Sequence, residues 1–478
     1  MIRSIISTIS FAQLRWLILL AFPVAFVSAY QITGSAEPAY SFGAAMFACA
    51  WLLYRLDSMK PELIAVWLVV VVFLAFYFLR YPVLLFDPAK VAIMNPDSIY
   101  MIFLNNPSGL TEALKLASFV FVVFCVTAGI QLRNGLAKSD SSPTILPHKN
   151  PQILLWLLVL VPLLILALGY VTFIYRIGQM GVDPGEPLPF RLKGVVFYAR
   201  HVLIPLLILA IVFRATLVSD TRSVLVALIL LAMHGVSDAI LRGSKSSLLL
   251  CLLLVVFLAT SEGMRIRRKG LVIIGVLTVS GILLMPSIAQ YRALRFHYDA
   301  GLLQLFFSAL SAANKDFIGL LNMSFKELYF RIPGIETSWA INYLIEEPLG
   351  RGLFETMRSQ FGVTGYLNFE IYQVPAEAYT LYAPGFVGWL YIAGGWQGLT
   401  IGGIVLALLC VRIPRWFYGG RLRWSPVANT FFLWVLFVSL TDGTLDGNFL
   451  LIAAGVTTLF GLEFIDRLIN YRESFRFN

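Results

Sequence analysis

Residues 152–174 read QILLWLLVLVPLLILALGYVTFI, twenty-three positions without one charged side chain. As a helix rising 1.5 Å per residue, that run is about 34 Å long, enough to cross the hydrocarbon core of a bilayer. Its polar backbone can be satisfied there only inside a helix, because lipid offers no hydrogen-bonding partner. This stretch sets the fold class as all-α and membrane-embedded, and the rest of the chain repeats it. Apolar runs lie at roughly 12–30, 40–54, 62–80, 113–131, 195–213, 223–241, 246–260, 271–289, 386–410, 426–443 and 448–465. With the first stretch they predict about twelve transmembrane helices.

Composition agrees. The chain has 478 residues, of which 59% are hydrophobic and 13% charged. Its mean hydropathy is +0.81. A soluble domain carries about 25% charged residues, so half that level leaves too few to cover a water-facing surface. A soluble enzyme is excluded. The N-terminal run has basic residues ahead of its apolar stretch, but it is long and lacks a convincing small-residue cleavage site, so it reads as the first span. Cys49, Cys125, Cys251 and Cys410 each sit within an apolar run and show no ligand spacing, the pattern of small core residues.

The net charge of +10 has a topological meaning, so nucleic acid is not an expected partner. With the N-terminus inside, the inner connections hold Arg55 and Lys60, then Arg133, Lys138 and Lys149, then Arg214 and Arg222. The run Arg265-Ile266-Arg267-Arg268-Lys269 follows, then Arg412, Arg415, Arg421 and Arg423, and last a tail with Arg467, Arg472 and Arg476. Each even-numbered span ends in a basic patch, which predicts cytoplasmic N- and C-termini. The stretch 290–385 is too polar to span and too long for a turn. It is expected to be a large extracytoplasmic cap between the ninth and tenth spans, with short interfacial helices, on a single membrane domain covering 1–478.

Ionisable residues at membrane depth are costly and by default face a cavity or a partner. In LLAMHGVSDAILRGSK (230–245), His234, Asp238 and Arg242 are spaced i, i+4, i+8 and share one helix face, with Lys245 just beyond. Two readings fit: a polar wall rising to the outer mouth of a cavity, or an interhelical salt bridge that specifies packing. Arg200 and His201 open the sixth span near the same face, either snorkelling to headgroups or touching substrate. Arg292 and Arg295 stand at i and i+3 after the ninth span, with His297 and Asp299 close behind. In RGLFETMRSQFG, Arg351, Glu355 and Arg358 share a helical face, as a solvated helix also would. Arginine at this density calls for an anion, and guanidinium forks match phosphate oxygens in pairs, so a diphosphate headgroup is the natural ligand. Anionic lipid in general, or an acidic polysaccharide, is the alternative.

Metal chemistry is not suggested. Polytopic metal-dependent lipid-sugar glycosyltransferases usually carry paired acids in the first outer loop, whereas QITGSAEPAY has Glu37 alone. No HExxH, GxSxG or Walker-type loop occurs. TDGTLDGN places Asp442 and Asp446 four residues apart, ordinary turn and capping chemistry more than a cation site. Neither a metal nor another cofactor is expected.

Three segments carry a resemblance. DAILRGSKSSLLLCLLLVVF (238–257) resembles the glycine–serine–basic stretch and leucine-rich helix of Wzy-type O-antigen and exopolysaccharide polymerases. FRIPGIET (330–337) is similar to an Arg-x-x-Gly-x-acid stretch of their large loop, mapping Arg331, Gly334 and Glu336. LYAPGFVGWLYIAGGWQGLTIGG (381–403) is similar to their return from loop to membrane. The resemblance covers roughly 230–410 and implies a GT-C-like plan. It implies a metal-independent glycosyltransferase that moves a growing glycan from one undecaprenyl diphosphate carrier onto another lipid-linked repeat unit. The setting would be the outer face of a bacterial cytoplasmic membrane, among membrane lipids and beside a possible chain-length regulator. A diphosphate leaving group needs preorganised cations. Arg242, Lys245, Arg292 and Arg295 are first candidates for that role, with Arg331, Arg200 and Arg351 behind them. Glu336, then Asp299 and His297, are candidates for the base that the acceptor hydroxyl needs. The rivals are an O-antigen ligase, for which His297 would be the loop histidine, and a transporter or flippase of lipid-linked sugars. A transporter is expected to show repeat symmetry and broken helices in matching halves, and neither is evident in the sequence.

Overall fold

A computed structural model describes residues 11–56, 60–86, 109–136, 151–178, 192–242, 246–260, 302–315, 385–442 and 445–476. It also describes single positions at 189, 275, 284, 287, 288, 290, 291, 294, 318, 319, 321, 322, 334, 335, 337, 338 and 341. Among these residues every regular element is helical.

In chain order, α1 is Phe11–Thr33 and α2 is Ala39–Arg55. Helix α3 runs over Pro61–Phe86, α4 over Gly109–Leu136 and α5 over Pro151–Ile174. Helix α6 is Leu192–Leu217, α7 is Thr221–Arg242, α8 is Ser246–Thr260 and α9 is Leu302–Lys315. Helices α10, α11 and α12 are Gly385–Trp416, Ser425–Asp442 and Leu445–Arg476. Seven of them, α1, α3, α4, α5, α6, α7 and α10, are long and apolar enough to cross a membrane. Most of the expected span at 271–289 and of the cap at 290–385 lies outside the described residues; α9 and scattered single positions are what is described there.

The surface of α5 fits lipid and not water. Leu155, Trp156, Leu166 and Tyr170 are all more than 60% exposed on this one helix. An apolar stripe of that extent has no place on a soluble monomer. The chain has the make-up of a membrane-embedded helical protein.

The described helices fall into two compact units. The first holds α1–α4 and α10, the second α5–α9, while α11 and α12 each contribute residues to both. Aromatic rings fill the core of the first. Phe22 of α1, Phe73 and Phe78 of α3 and Phe121 of α4 meet with ring centroids 4.9 to 6.2 Å apart. Gly129 lets α4 approach α2, since a Cβ there would lie 2.0 Å from the Trp51 ring.

Helix α10 is broken. Gly394 is extended at φ −164°, and Gly395 takes φ 55°, ψ −140°, a conformation essentially reserved for glycine. The arm 385–393 folds back on the long arm, so that a Cβ on Gly398 would meet the Leu390 carbonyl oxygen at 2.3 Å. A Cβ on Gly402 would strike the Leu390 side chain at 2.4 Å. Phe386, Val387, Leu390 and Ile392 of that arm are all buried. The expected span at 386–410 is broken at Gly394–Gly395, because Gly395 takes a backbone conformation that residues with a Cβ rarely adopt.

Helices α3 and α6 each contain a π-turn, at Leu74–Phe78 and Ala199–Leu203. A π-turn skips one rung of the hydrogen-bond ladder and frees a carbonyl, which is why such turns gather at functional places.

Candidate functional site

The polar stripe of α7 does not stand alone. The π-turn of α6 sits beside it in the same unit and delivers Arg200 and His201 to Asp238. Arg200 Nη2 lies 3.1 Å from Asp238 Oδ1, and both side chains are almost unexposed, at 2% and 4%. His201 Nε2 and Arg242 Nη1 each lie 3.4 Å from Asp238 Oδ2. Ser247, at the start of α8, donates its hydroxyl to the same oxygen at 2.6 Å.

The π-turn explains the second half of the arrangement. The Ile204 N–H bonds the Ala199 carbonyl, which leaves the Arg200 carbonyl without its helical partner. His234 Nε2 takes that place at 2.9 Å, so this nitrogen carries the proton and donates. His234 thus fastens α7 to the irregular turn of α6.

Charge does not balance. Two guanidiniums face one carboxylate, and the histidines are bonded as neutral rings. Arg200 Nε and Nη1 carry no hydrogen bond at all, and neither does His234 Nδ1. Gly169 of α5 lies beside them, where a Cβ would make only an ordinary contact, 3.6 Å, with Arg200 Nη1. Buried polar groups left open in this way are costly in a protein interior: the Arg200 nitrogens can take a further acceptor, whereas His234 Nδ1, with the proton on Nε2, takes only a donor.

Arg242 is the loosest member. Its Nε donates to the Gly178 carbonyl at 3.2 Å, its guanidinium lies 5.0 Å over the Phe197 ring, and Nη1 donates to His201 Nε2. Its side chain is 12% exposed, against 2% for Arg200. Arg242 thus lies at the edge of the cluster. The Asp238–Arg242 pair expected from the i, i+4 spacing also forms, but Arg200 and Ser247 hold Asp238 more closely. Arg200 does not snorkel, since burial against Asp238 keeps it from the headgroups.

The remaining candidates, Lys245, Arg292, Arg295, Arg331, Arg351, His297, Asp299 and Glu336, lie outside the described residues. So do the side chains of Asp442 and Asp446. Glu37 is not isolated. Lys115 bridges it at 3.0 Å to Glu112, which the same ammonium meets at 2.6 Å. Among the described residues no three His, Cys, Asp or Glu side chains gather as metal ligands would. All four cysteines are free and buried.

A second buried cluster went unforeseen. Arg214, at the far end of α6, pairs with Asp466 of α12 at 2.9 Å, and Arg423 pairs with the other Asp466 oxygen at 2.9 Å. Arg467 pairs with Glu463 at 3.0 Å, and Glu463 also accepts the Arg423 N–H at 3.2 Å. Arg214 packs 5.4 Å over Trp424. Read one by one, these arginines belong to basic connections; only the fold brings them to the two acids.

Comparison of the chain with models of known families, with curated proteins and with solved structures finds no match in any of the three.

Proposed function

We propose that this chain is a metal-independent glycosyltransferase of the Wzy type, polymerising undecaprenyl-diphosphate-linked repeat units at the outer face of a bacterial cytoplasmic membrane. In this reading about twelve spans place both termini inside, and the Asp238 cluster lies near the outer surface. One observation carries the reading: a partly exposed guanidinium, Arg242, left surplus beside the buried Arg200–Asp238 ion pair. A diphosphate leaving group gathers negative charge as its bond to the sugar breaks, and fixed cations in a low-dielectric setting stabilise that charge. Lys245, Arg292, Arg295, Arg331 and Arg351 are proposed to complete the cationic surface. Glu336, Asp299 and His297 remain the loop candidates for proton transfer.

The purified protein, given lipid-diphosphate repeat units from a strain lacking it, is expected to produce a ladder of glycan lengths on a gel. The ladder survives EDTA and is lost in Arg242→Ala. Abolition by EDTA, or an undiminished ladder in Arg242→Ala, removes the reading. One observation favours a second reading, a transporter of lipid-linked glycans: the break at Gly394–Gly395, since discontinuous helices are common at transport sites. Movement of the intact substrate across vesicles without any ladder selects it.

A further inference from the structure

Within the Asp238 cluster the two arginines are held in unlike ways. Arg200 and Asp238 form a buried ion pair at 3.1 Å, and the Ser247 hydroxyl donates to the other Asp238 oxygen at 2.6 Å. Taking Arg242 away leaves that pair neutral and bonded. Arg242 is held by longer contacts, 3.4 Å to Asp238 and 3.2 Å to Gly178. Its closest partner is His201 Nε2.

His201 is itself fixed. Its Nδ1 lies 2.9 Å from the Phe197 carbonyl, which can only accept, so Nδ1 bears the proton and Nε2 bears the lone pair. The ring lies flat on Phe197, with centroids 4.3 Å apart and planes inclined by 12°. An imidazole locked in rotation and tautomer, with a carboxylate beside its basic nitrogen, has the parts of a general base. Here the base is blocked, because Arg242 donates into the lone pair.

We propose that the cluster is an anion-operated base: a phosphate group of the ligand draws Arg242 onto itself and thereby uncovers His201 Nε2 as proton acceptor. This inference rests on the polymerase reading and adds the residue and the trigger for its proton transfer. In the step itself the acceptor hydroxyl gives its proton to Nε2, and its oxygen bonds the anomeric carbon. The bond from that carbon to the diphosphate oxygen breaks, and the electron pair leaves on the diphosphate, where Arg242 now sits. The imidazolium that results faces Asp238 Oδ2, 3.4 Å from Nε2, and later loses the proton to water. Binding and deprotonation are thereby ordered, since a hydroxyl cannot be activated before a diphosphate donor is in place. Phe197, Asp238, Arg242 and Gly178 are the neighbours that set this geometry; His234 is tied to the Arg200 carbonyl and stays out of it.

Carbethoxylation of histidine by diethyl pyrocarbonate needs a free imidazole lone pair, so peptide mass spectrometry of His201 reads the switch without any glycan. Inorganic pyrophosphate, and separately undecaprenyl diphosphate in the detergent micelle, are the probes. Either probe is expected to speed His201 modification in the wild-type protein about tenfold, the effect of losing one hydrogen bond from a charged donor. Arg242→Ala is expected to modify fast without a probe and to gain nothing from one. An unchanged His201 rate with both probes overturns the proposal, and so does an Arg242→Ala rate equal to that of the unliganded wild type. The probe arms use the native protein and are immune to misfolding of a variant. A failed polymer ladder together with a positive probe response would refute the polymerase reading and leave the anion-operated exposure of His201 standing.

Discussion

Replacing Asp238 by Asn keeps its shape and removes the charge that Arg200 relies on. Arg200 is 2% exposed, and its only ion-pair contact in the cluster is the Asp238 oxygen at 3.1 Å. Removing one partner of a buried pair strands the other, which costs about 3–5 kcal/mol. The lower end, about 3 kcal/mol, is expected here. The asparagine carbonyl can still accept from Ser247, and Arg242, being partly exposed, can turn to water. Unfolding in detergent by added denaturing surfactant, followed by tryptophan fluorescence and circular dichroism, measures the loss. The same cost predicts its own rescue. When Arg200→Leu is combined with Asp238→Leu the stranded charge is gone, and apolar replacement of a buried pair is commonly neutral. The double variant should therefore be more stable than Asp238→Asn alone, with a coupling of about 2–3 kcal/mol between the sites. An Asp238→Asn variant within about 1 kcal/mol of wild type would refute the reasoning. So would a double variant as unstable as the sum of its singles.

Other substitutions probe separate parts of the chain. Gly395→Ala forces a Cβ into φ 55°, ψ −140° and is expected to cost about 1–3 kcal/mol in the same assay, whereas Gly394→Ala, extended and with open space around it, should cost far less. Ser247→Ala removes the 2.6 Å donor to Asp238 and should cost about 1–2 kcal/mol. Asp220 caps α7: the Ser223 hydroxyl at 2.5 Å, helped by the N–H groups of Arg222 and Ser223, holds its carboxyl below the usual range. A depressed folded-state pKa means stability fully present above the ordinary carboxylate pKa of about 3.9 and lost as pH falls below it. Asp220→Ala should cost about 1 kcal/mol at neutral pH and flatten that acid limb of a stability-versus-pH curve.

Much of the fold was legible because lipid leaves a helix few options. The uncharged stretch 246–260 coincides with α8, and 40–54 falls within Ala39–Arg55. The i, i+4, i+8 spacing of His234, Asp238 and Arg242 likewise gave the polar stripe, since helical pitch alone aligns them. What stayed hidden depends on contacts between helices. Pro205, which has no N–H to offer the Arg200 carbonyl, signals a break in the ladder there, but nothing local shows that the freed carbonyl meets His234, 34 residues away. Ser247 stands in a serine pair that reads as ordinary small-residue packing, and only its place beside α7 shows it as the donor to Asp238. Asp466 is 252 residues from Arg214, so their pairing is beyond any local pattern. The hinge in α10 did have a signal, the Gly394–Gly395 pair inside an apolar run, which marks a break as readily as close packing.

Helix α6 carries a buried arginine toward each end, Arg200 and Arg214, 14 residues or about 21 Å apart. Each meets an aspartate from another helix, and the difference between the two ends locates the chemistry. At the Arg214 end every guanidinium has a carboxylate oxygen within 3.0 Å, and Arg467, whose side chain is 64% exposed, is also served by water. That end holds α6 to α12. At the Arg200 end two guanidiniums share one carboxylate, at 3.1 and 3.4 Å, with no second acid beside them among the described residues. A second buried cation beside a single carboxylate costs stability that packing alone does not repay. The Arg200 end, where two cations share one acid, is the one that gains by binding an anion. Asp466→Asn should therefore reduce stability with little change in His201 reactivity, while Arg242→Ala should do the reverse.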